Sequence, residues 1–246
     1  MRLLFDYGNS RLKWALSDDG IRECGLLEGN DLLKLADNLD KALGEIQAPN
    51  EAWISSVAGE KATGELKSWL RKRWSLEAYL IKVDAEAYGV VNSYIQPETL
   101  GSDRWAALVA VRHRYTQPAT VVDCGTAVTV DLINDNRFYG GVILPGIQVS
   151  RASLVASTAQ LQSEGEENIT SIATTTSAGI QSGTLVGLAG AIEYIVKSQQ
   201  RDTGLSSKVY LTGGNANLVR PYLGLEIEVI DDLVLQGVDV IAELET

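Results

Sequence analysis

Two short stretches of this sequence follow one plan: residues 4–10 read Leu-Phe-Asp-Tyr-Gly-Asn-Ser, and residues 121–127 read Val-Val-Asp-Cys-Gly-Thr-Ala. Each has two apolar residues, an aspartate, a variable residue, a glycine, a small polar residue and a small residue. Each is followed by another strand-like run, so each predicts a β-hairpin that turns at the glycine. The two aspartates, Asp6 and Asp123, lie about half of the 246-residue chain apart. The sequence therefore predicts two similar halves, whose hairpins we expect to face each other across a cleft.

The Asp-x-Gly plan suits the binding of a polyphosphate. An aspartate at the end of a strand can hold a divalent cation, and glycine lets backbone N–H groups approach phosphate oxygens. Lys13, on the strand after the first turn, adds a positive charge. Either motif alone would indicate an ordinary Asx-turn, whereas the matched pair favours a phosphate site. Because the P-loop and Rossmann glycine motifs are absent from the sequence, we expect phosphate to be held by these two turns.

Composition limits the classes of function. With 45% apolar residues, 22% charged residues and a mean hydropathy of +0.00, the chain is expected to fold around a packed core. The formal charge of −11 opposes binding to a nucleic-acid backbone. The sequence has neither a signal-peptide pattern nor an apolar run long enough to cross a bilayer, so we expect no membrane association and a cytoplasmic location.

The apolar spacing predicts an α/β organisation. Helical patterns cover residues 31–46, 60–74, 102–115, 176–199 and 231–244. Strand patterns cover residues 2–7, 11–16, 52–57, 78–83, 120–122, 128–133, 138–144 and 208–211. A boundary before the strand at residue 120 predicts one domain over residues 1–117 and a second over residues 118–246. The acidic stretch at 164–167 is expected to be an exposed loop.

Two further motifs lie at helix starts. Residues 101–104, Gly-Ser-Asp-Arg, have two interpretations: Asp103 is a favourable first-turn charge and Arg104 a surface residue, or Asp103 is a general base and Arg104 binds a substrate carboxylate. Residues 212–215, Thr-Gly-Gly-Asn, run from a strand into a helix. There the glycines would allow close approach to a nucleoside, and Asn215 would cap the helix.

Five motifs, taken in order, resemble the type III pantothenate kinases: residues 6–13, 101–104, 123–129, 140–146 and 212–214. These kinases belong to the superfamily of acetate kinase, sugar kinases, heat-shock chaperones and actin. The resemblance implies an α/β fold of two ribonuclease-H-like, actin-like ATPase domains with mixed sheets flanked by helices. It also implies that ATP binds in the cleft between the domains.

The resemblance further implies an activity: transfer of the γ-phosphoryl group of ATP to pantothenate, giving 4'-phosphopantothenate in the first step of coenzyme A biosynthesis. The implied partners are ATP and pantothenate, and the implied cofactors are Mg²⁺ with ATP and a monovalent cation, K⁺ or NH₄⁺. The family also implies a homodimer.

Site residues follow from the same resemblance, position by position. The ATP-binding residues are Asp6, Tyr7, Gly8, Asn9, Ser10, Arg11, Leu12, Lys13 and Thr126. The pantothenate-binding residues are Tyr94, Gly101, Ser102, Asp103, Arg104 and Thr176. Asp103 is the implied proton acceptor, Asp6 is associated with Mg²⁺, and Asp123 binds the monovalent cation. Thr176 is implied to act across the dimer interface, although Thr174 and Thr175 allow another register and a helix N-cap is a competing role.

Two alternatives remain open from the sequence. One is a phosphotransferase of the same superfamily that acts on another hydroxylated acceptor, because the two phosphate turns do not specify the acceptor. The other is a non-catalytic nucleotide-binding protein with an accessory or regulatory role.

Overall fold

A computed structural model describes residues 1–29, 31–157 and 168–245. The strands are β1 Arg2–Tyr7, β2 Arg11–Ser17, β3 Ile21–Glu28, β4 Glu51–Ser56, β5 Ala78–Leu80, β6 Glu86–Ala87, β7 Val90–Asn92, β8 Ala119–Cys124, β9 Ala127–Asn134, β10 Arg137–Pro145, β11 Lys208–Thr212 and β12 Ile227–Val229. The helices are α1 Leu35–Leu43, α2 Glu60–Trp74, α3 Ser102–Arg114, α4 Ile147–Ala156, α5 Thr176–Thr203, α6 Ala216–Val219 and α7 Leu233–Glu245. The acidic stretch 164–167, expected to be an exposed loop, lies outside the described residues.

The chain divides into two compact units. The first contains residues 1–116, 136–138 and 232–246, and the second contains residues 117–135 and 139–231. The sequence-predicted ranges are 1–117 and 118–246, whereas the first unit also takes in residues 136–138 and the C-terminal segment. The C-terminal segment belongs there because α7 packs against α3, β1 and β4, and residues 137 and 138 belong there because they pair with β7.

The sheet of the first unit has five strands in the order β3-β2-β1-β4-β5. Strands β1, β2 and β3 form an antiparallel meander, whereas β4 and β5 run parallel to β1. Alternate residues of β1 point to opposite faces. Leu3 and Phe5 join a core with helices α1 and α2, and Leu4 is also fully buried. The central strand is therefore covered on both faces, which explains its nearly continuous apolar sequence.

Helices α3 and α7 pack closely in the first unit, and the contact depends on one glycine. A β-carbon placed on Gly237 of α7 would overlap the backbone carbonyl of Ala106 in α3. Gly237 therefore allows the two helix backbones to approach more closely than any side chain would permit.

The second unit repeats the local topology of the first. Strands β8 and β9 form an antiparallel hairpin, and β11 runs parallel to β8 on its other side, followed by β12. The arrangement β9-β8-β11 corresponds to β2-β1-β4 in the first unit. The core contains Val122 and Val130 from the hairpin and Leu185 and Ile192 from α5.

Helix α5 is long and apolar enough, by length and composition, to cross a membrane, and among the described residues it is alone in this. Core helices of soluble proteins meet the same criterion, and one such helix is weak evidence for a membrane span. Its residues Leu185, Ile192 and Val196 pack in the core of the second unit.

We predict opposite stability effects for two glycine substitutions in helices of the first unit. Gly237→Ala should destabilise the protein by at least about 2 kcal/mol, because the new methyl group overlaps a backbone that cannot move without separating α3 from α7. Gly64→Ala, in α2, meets no atom within 4 Å and should stabilise the protein by about 0.5–1 kcal/mol through helix propensity. Urea denaturation of the two variants and the wild type measures both effects. A Gly237→Ala variant as stable as the wild type would contradict this account of the packing.

Candidate active site

The first Asp-x-Gly turn joins β1 to β2. Asp6 is the penultimate residue of β1, opposite Lys13 in β2 and Ser55 in β4. The turn is closed by the N–H of Gly8, which donates to the carbonyl of Arg11 at 3.0 Å. The hairpin predicted from the sequence is present, and it places Asp6 and Lys13 side by side.

Two of the sequence-predicted ATP-binding residues point away from solvent. Tyr7 and Leu12 are each 1% exposed and belong to the core of the first unit. Their side chains stabilise the hairpin, so only their backbone atoms are available to a ligand. Asn9 and Ser10, at the tip of the turn, are exposed.

Lys13 has an ionic partner that the sequence did not reveal. Its ammonium group lies 2.8 Å from the carboxylate of Asp232, in a half-buried ion pair. Asp232 directly precedes α7 and has a left-handed backbone conformation with φ of 51°. The two residues are 219 positions apart, so only tertiary packing brings them together.

Asp103 lies in the first turn of α3. Its side chain is half-buried, and Oδ1 accepts a hydrogen bond of 2.7 Å from the N–H of Arg104. Burial raises the pKa of the Asp103 carboxyl above its ordinary value, and the neighbouring Arg104 opposes this only in part. A carboxylate with a raised pKa is a stronger base, as general-base catalysis requires.

Arg104 and Tyr94, both predicted to bind pantothenate, are in contact. Arg104 is 8% exposed, and its Nη1 donates to the Tyr94 hydroxyl at 2.8 Å. The guanidinium carbon lies 5.6 Å from the ring centre of Tyr94 and 5.8 Å from that of Phe138. The two rings are stacked at 5.7 Å. Arg104 is therefore a buried cation held on two aromatic rings, and the interpretation of Arg104 as a surface residue is wrong.

Phe138 was not found by sequence reasoning. It lies at the start of β10, in the segment 136–138 that belongs to the first unit, and it is opposite Asn92 of β7. A phenylalanine within an apolar strand gives no local signal of this role.

A pocket of about 860 Å³ lies in the first unit beyond the carboxyl ends of β4 and β5. Its wall includes Ser56, Val57, Gly101 and Ser102, together with the start of α2 and residues 81–84. This volume is within the range of small-molecule sites. Gly101 and Ser102 connect the pocket to the motif that contains Asp103.

The second Asp-x-Gly turn joins β8 to β9. The N–H of Gly125 donates to the carbonyl of Ala127, two residues later, at 3.0 Å. In the first turn the N–H of Gly8 donates to the carbonyl of Arg11, three residues later. Cys124 is buried, and burial, together with the charge of Asp123, raises the pKa of its thiol to about 12. The thiol is therefore unreactive at neutral pH. Thr126 is exposed beside it.

The two remaining glycine motifs lie against this second turn. Gly146 ends the 140–146 motif, and its N–H donates to the carbonyl of Thr126 at 3.0 Å. Gly213 has φ of +90°, and a β-carbon there would overlap Asp123 Oδ1 and the backbone of Cys124. A side chain at position 213 would therefore displace the turn.

Asn215 has a different role from the predicted helix cap. It precedes α6, but its side chain makes no capping hydrogen bond. Instead, Nδ2 donates to the carbonyl of Gly125 at 3.4 Å, and the amide also contacts Gln148. Asn215 therefore ties the glycine motif of β11 to the second turn.

Thr176 is the first residue of α5 and is exposed. The N-cap position is occupied by Thr175, whose side chain accepts a hydrogen bond of 3.1 Å from the N–H of Ala178. The capping role considered for Thr176 thus belongs to its neighbour.

Metal binding by protein groups alone has no support in residues 1–29, 31–157 and 168–245, where no group of three or more His, Cys, Asp or Glu side chains converges. Single carboxylates such as Asp6 and Asp123 suit a different arrangement. Mg²⁺ is commonly held by one or two carboxylates together with substrate phosphates and water.

Comparison with known proteins gives a consistent result. A family model described as type III pantothenate kinase matches residues 2–198. The type III pantothenate kinase of Nitrosococcus oceani is 35% identical over 252 residues, covering 99% of this chain and 94% of the relative. That of Marinobacter nauticus is 37% identical over 248 residues, covering 98% of each.

Solved structures show the same fold at low identity. Component A of (R)-2-hydroxyglutaryl-CoA dehydratase from Acidaminococcus fermentans has a TM-score of 0.57 and 15% identity, covering 99% of this chain and 98% of that one. MreB 5 of Spiroplasma citri bound to AMPPNP has a TM-score of 0.54 and 9% identity, covering 99% and 96%. These similarities confirm the predicted actin-like ATPase fold.

The raised pKa of Asp103 predicts a cost to stability. Because burial disfavours the ionised carboxylate only in the folded protein, stability should fall as pH rises through the pKa of Asp103. Asp103→Asn should therefore be more stable than the wild type at neutral pH, and this difference should vanish as pH is lowered to about 4. Urea denaturation across this pH range tests the prediction.

The control is Glu65→Gln, which neutralises an exposed carboxylate on α2 and should change stability little at any pH. An Asp103→Asn variant less stable than the wild type at neutral pH would show that the ionised carboxylate is favoured by its surroundings.

Proposed function

The chain belongs to the type III pantothenate kinase family, and on this premise we propose that it phosphorylates pantothenate with ATP. The product is 4'-phosphopantothenate, in the first step of coenzyme A biosynthesis. The observation that supports this most directly at the site is Asp103, a half-buried carboxylate of raised pKa beside a cation held on two aromatic rings.

Asp103 is the proton acceptor in this proposal. The primary hydroxyl of pantothenate loses its proton as it attacks the γ-phosphorus, and a carboxylate of raised pKa takes that proton more readily than an ordinary aspartate. The hydrogen bond from the N–H of Arg104 restrains the carboxylate and leaves its second oxygen for the substrate.

The Gly101–Arg104 segment and Tyr94 form the acceptor site, with Arg104 and Tyr94 as its contacts to pantothenate. Arg104 supplies positive charge for the carboxylate of pantothenate. Its hydrogen bond to Tyr94 and its contact with Phe138 hold the guanidinium in one orientation before substrate arrives. Such preorganisation reduces the entropy lost on binding.

In this proposal each Asp-x-Gly turn offers backbone N–H groups to phosphates of ATP, with Thr126 as a further contact. Asp6 would hold Mg²⁺ together with the phosphates, and Asp123 would hold a monovalent cation, K⁺ or NH₄⁺. Mg²⁺, when bound, neutralises charge on the phosphates, so catalysis depends mainly on alignment and electrostatics. In this proposal the ammonium group of Lys13 interacts with a phosphate oxygen as well as with Asp232.

The chain acts as a homodimer in this proposal, with the second unit as the interface. Large apolar side chains are exposed on three of its elements, among them Ile143 of β10, Leu154 of α4 and Tyr194 of α5. Helices α4 and α5 contact each other. Thr176, exposed at the start of α5, would then be available to the acceptor site of a partner.

The proposed substrates are metabolites. We propose a cytoplasmic location without nucleic-acid or membrane partners, and the net charge of −11 supports the part that concerns nucleic acid. Among the alternatives, a kinase for another acceptor would show turnover with other hydroxylated compounds and none with pantothenate. A non-catalytic nucleotide-binding protein would bind ATP without turnover.

We expect Asp103→Asn to lower kcat for pantothenate phosphorylation about 10²–10⁴-fold, because the hydroxyl loses its proton acceptor. In the wild type, kcat/KM should fall on the acid side with an apparent pKa above the ordinary aspartate value of about 3.9. A coupled assay of ADP release with Mg²⁺ and K⁺ measures both. Glu65→Gln is the control and should keep full activity, whereas full activity in Asp103→Asn would exclude Asp103 as the base.

We also expect the double variant Ile143→Asp, Tyr194→Asp to be monomeric by light scattering, because two charges are then placed in an apolar interface. The control is Leu33→Asp in the first unit, where the side chain is 93% exposed, and this variant should remain dimeric. A wild-type protein that is monomeric at micromolar concentration would contradict the dimer and the role of Thr176.

A further inference from the structure

We propose that Ser102 is a positioning residue for Asp103 through a hydroxyl bridge between α3 and β4, an inference that rests on the proposed function. The bridge consists of Ser55 and Ser56 at the end of β4 and Ser102 at the start of α3. Ser102 belongs to the segment proposed to form the acceptor site, but the hydrogen bonds of its side chain run to β4 and suit a positioning role.

The hydrogen bonds of Ser102 all run to β4. Its Oγ accepts from the N–H of Ser56 at 3.0 Å, lies 3.0 Å from Oγ of Ser55 and can donate to the carbonyl of Ser56 at 3.3 Å. A serine hydroxyl has one proton and two acceptor sites. If it donates to the carbonyl of Ser56, the Ser55 hydroxyl fills its second acceptor site. If it donates to Ser55, its oxygen still accepts the hydrogen bond from the N–H of Ser56. In both arrangements its proton is already used within the protein.

The N-cap position of α3, Gly101, carries no capping side chain, and within the first turn Asp103 Oδ1 accepts the N–H of Arg104. The hydroxyl bridge has a task separate from capping: it fixes the first turn of α3 to the end of β4. Asp103 is the next residue along that turn, so its backbone position follows from the bridge.

The bridge also ties Asp103 to the phosphate-binding hairpin. Ser55 lies opposite Asp6 in the pairing of β1 with β4, and Ser55 is completely buried. Ser102 is thus fixed to the strand position next to the proposed Mg²⁺-associated carboxylate. The proton acceptor and the first phosphate turn are held in one frame by backbone pairing and the bridge.

A second contact stiffens the end of β4. Oγ of Ser56 lies 2.6 Å from Oγ1 of Thr63, which donates to the carbonyl of Gly59 at 2.9 Å. The end of β4 is therefore anchored to α2 as well as to α3, and it cannot follow α3 freely if α3 shifts. Because misplacement of a reacting group by about 1 Å can lower a rate about 100-fold, the bridge has a direct consequence for catalysis.

The test compares Ser102→Ala and Ser55→Ala with Ser102→Thr, which keeps the hydroxyl, and with Ser68→Ala, which removes a half-buried hydroxyl from α2. We expect both bridge variants to lower kcat about 10–100-fold while KM for pantothenate changes less than about threefold. The double variant Ser55→Ala, Ser102→Ala should be no slower than the slower single variant, because both remove one bridge. Ser102→Thr should recover most of kcat, and Ser68→Ala should match the wild type.

The outcomes separate this proposal from the proposed function. If the wild type does not phosphorylate pantothenate, the proposed function fails whatever the serine variants do. If the wild type is active and Ser102→Ala raises KM with kcat unchanged, Ser102 binds substrate and the positioning role is overturned. Wild-type kinetics in Ser102→Ala and Ser55→Ala would also overturn it. Should Ser102→Ala fail to fold, Ser55→Ala, monitored by thermal denaturation, decides between these outcomes.

Discussion

The pairing of β1 with β4 places Asp6 beside the serines that hold the start of α3, and with it Asp103. These parallel strands place Asp6 opposite Ser55 and Tyr7 opposite Ser56. The register cannot slip by one residue, because alternate side chains of β1 would then exchange faces. Since Leu3 and Phe5 are completely buried, such a slip would lose the core with α1 and α2. The hydrophobic core therefore sets the position of the polar residues at the carboxyl ends of these two strands.

At Asp103, the stability of the fold and the chemistry of a general base have opposite requirements. Burial raises the pKa of Asp103 and makes its carboxylate a better base, but the same burial disfavours the ionised form in the folded protein. Arg104 offsets this only in part, because the effect of burial on the pKa of Asp103 is larger than that of the neighbouring arginine. If the charge of Asp103 were compensated more fully, the folded protein would be more stable and the carboxylate would be a weaker base.

Close backbone packing and a side-chain amide hydrogen bond hold the 212–215 motif against the turn of the second unit. Gly213 has a positive φ and lies against the turn at Asp123 and Cys124, and Asn215 reaches the carbonyl of Gly125. Parallel pairing of β11 with β8 makes Thr212 the neighbour of Asp123. Oriented N–H groups at such a turn can attract phosphate in a protein of strongly negative net charge, because they act over short distances.

The sequence by itself determined the repeated hairpins, the α/β class and the motif at residues 101–104, because these depend on local turn chemistry and on the spacing of apolar residues. It also located Asp6, Asp103 and Asp123 at the ends of their elements. Ser55 and Ser56 end the apolar strand β4. Polar residues at the end of an apolar strand, the pattern that marked Asp6, therefore marked them as well. Tertiary structure alone decided the partners: Asp232 for Lys13, Phe138 for Arg104, and α7 for the first unit. These contacts join residues far apart in the chain, and they form only when buried faces pack, which no local pattern encodes.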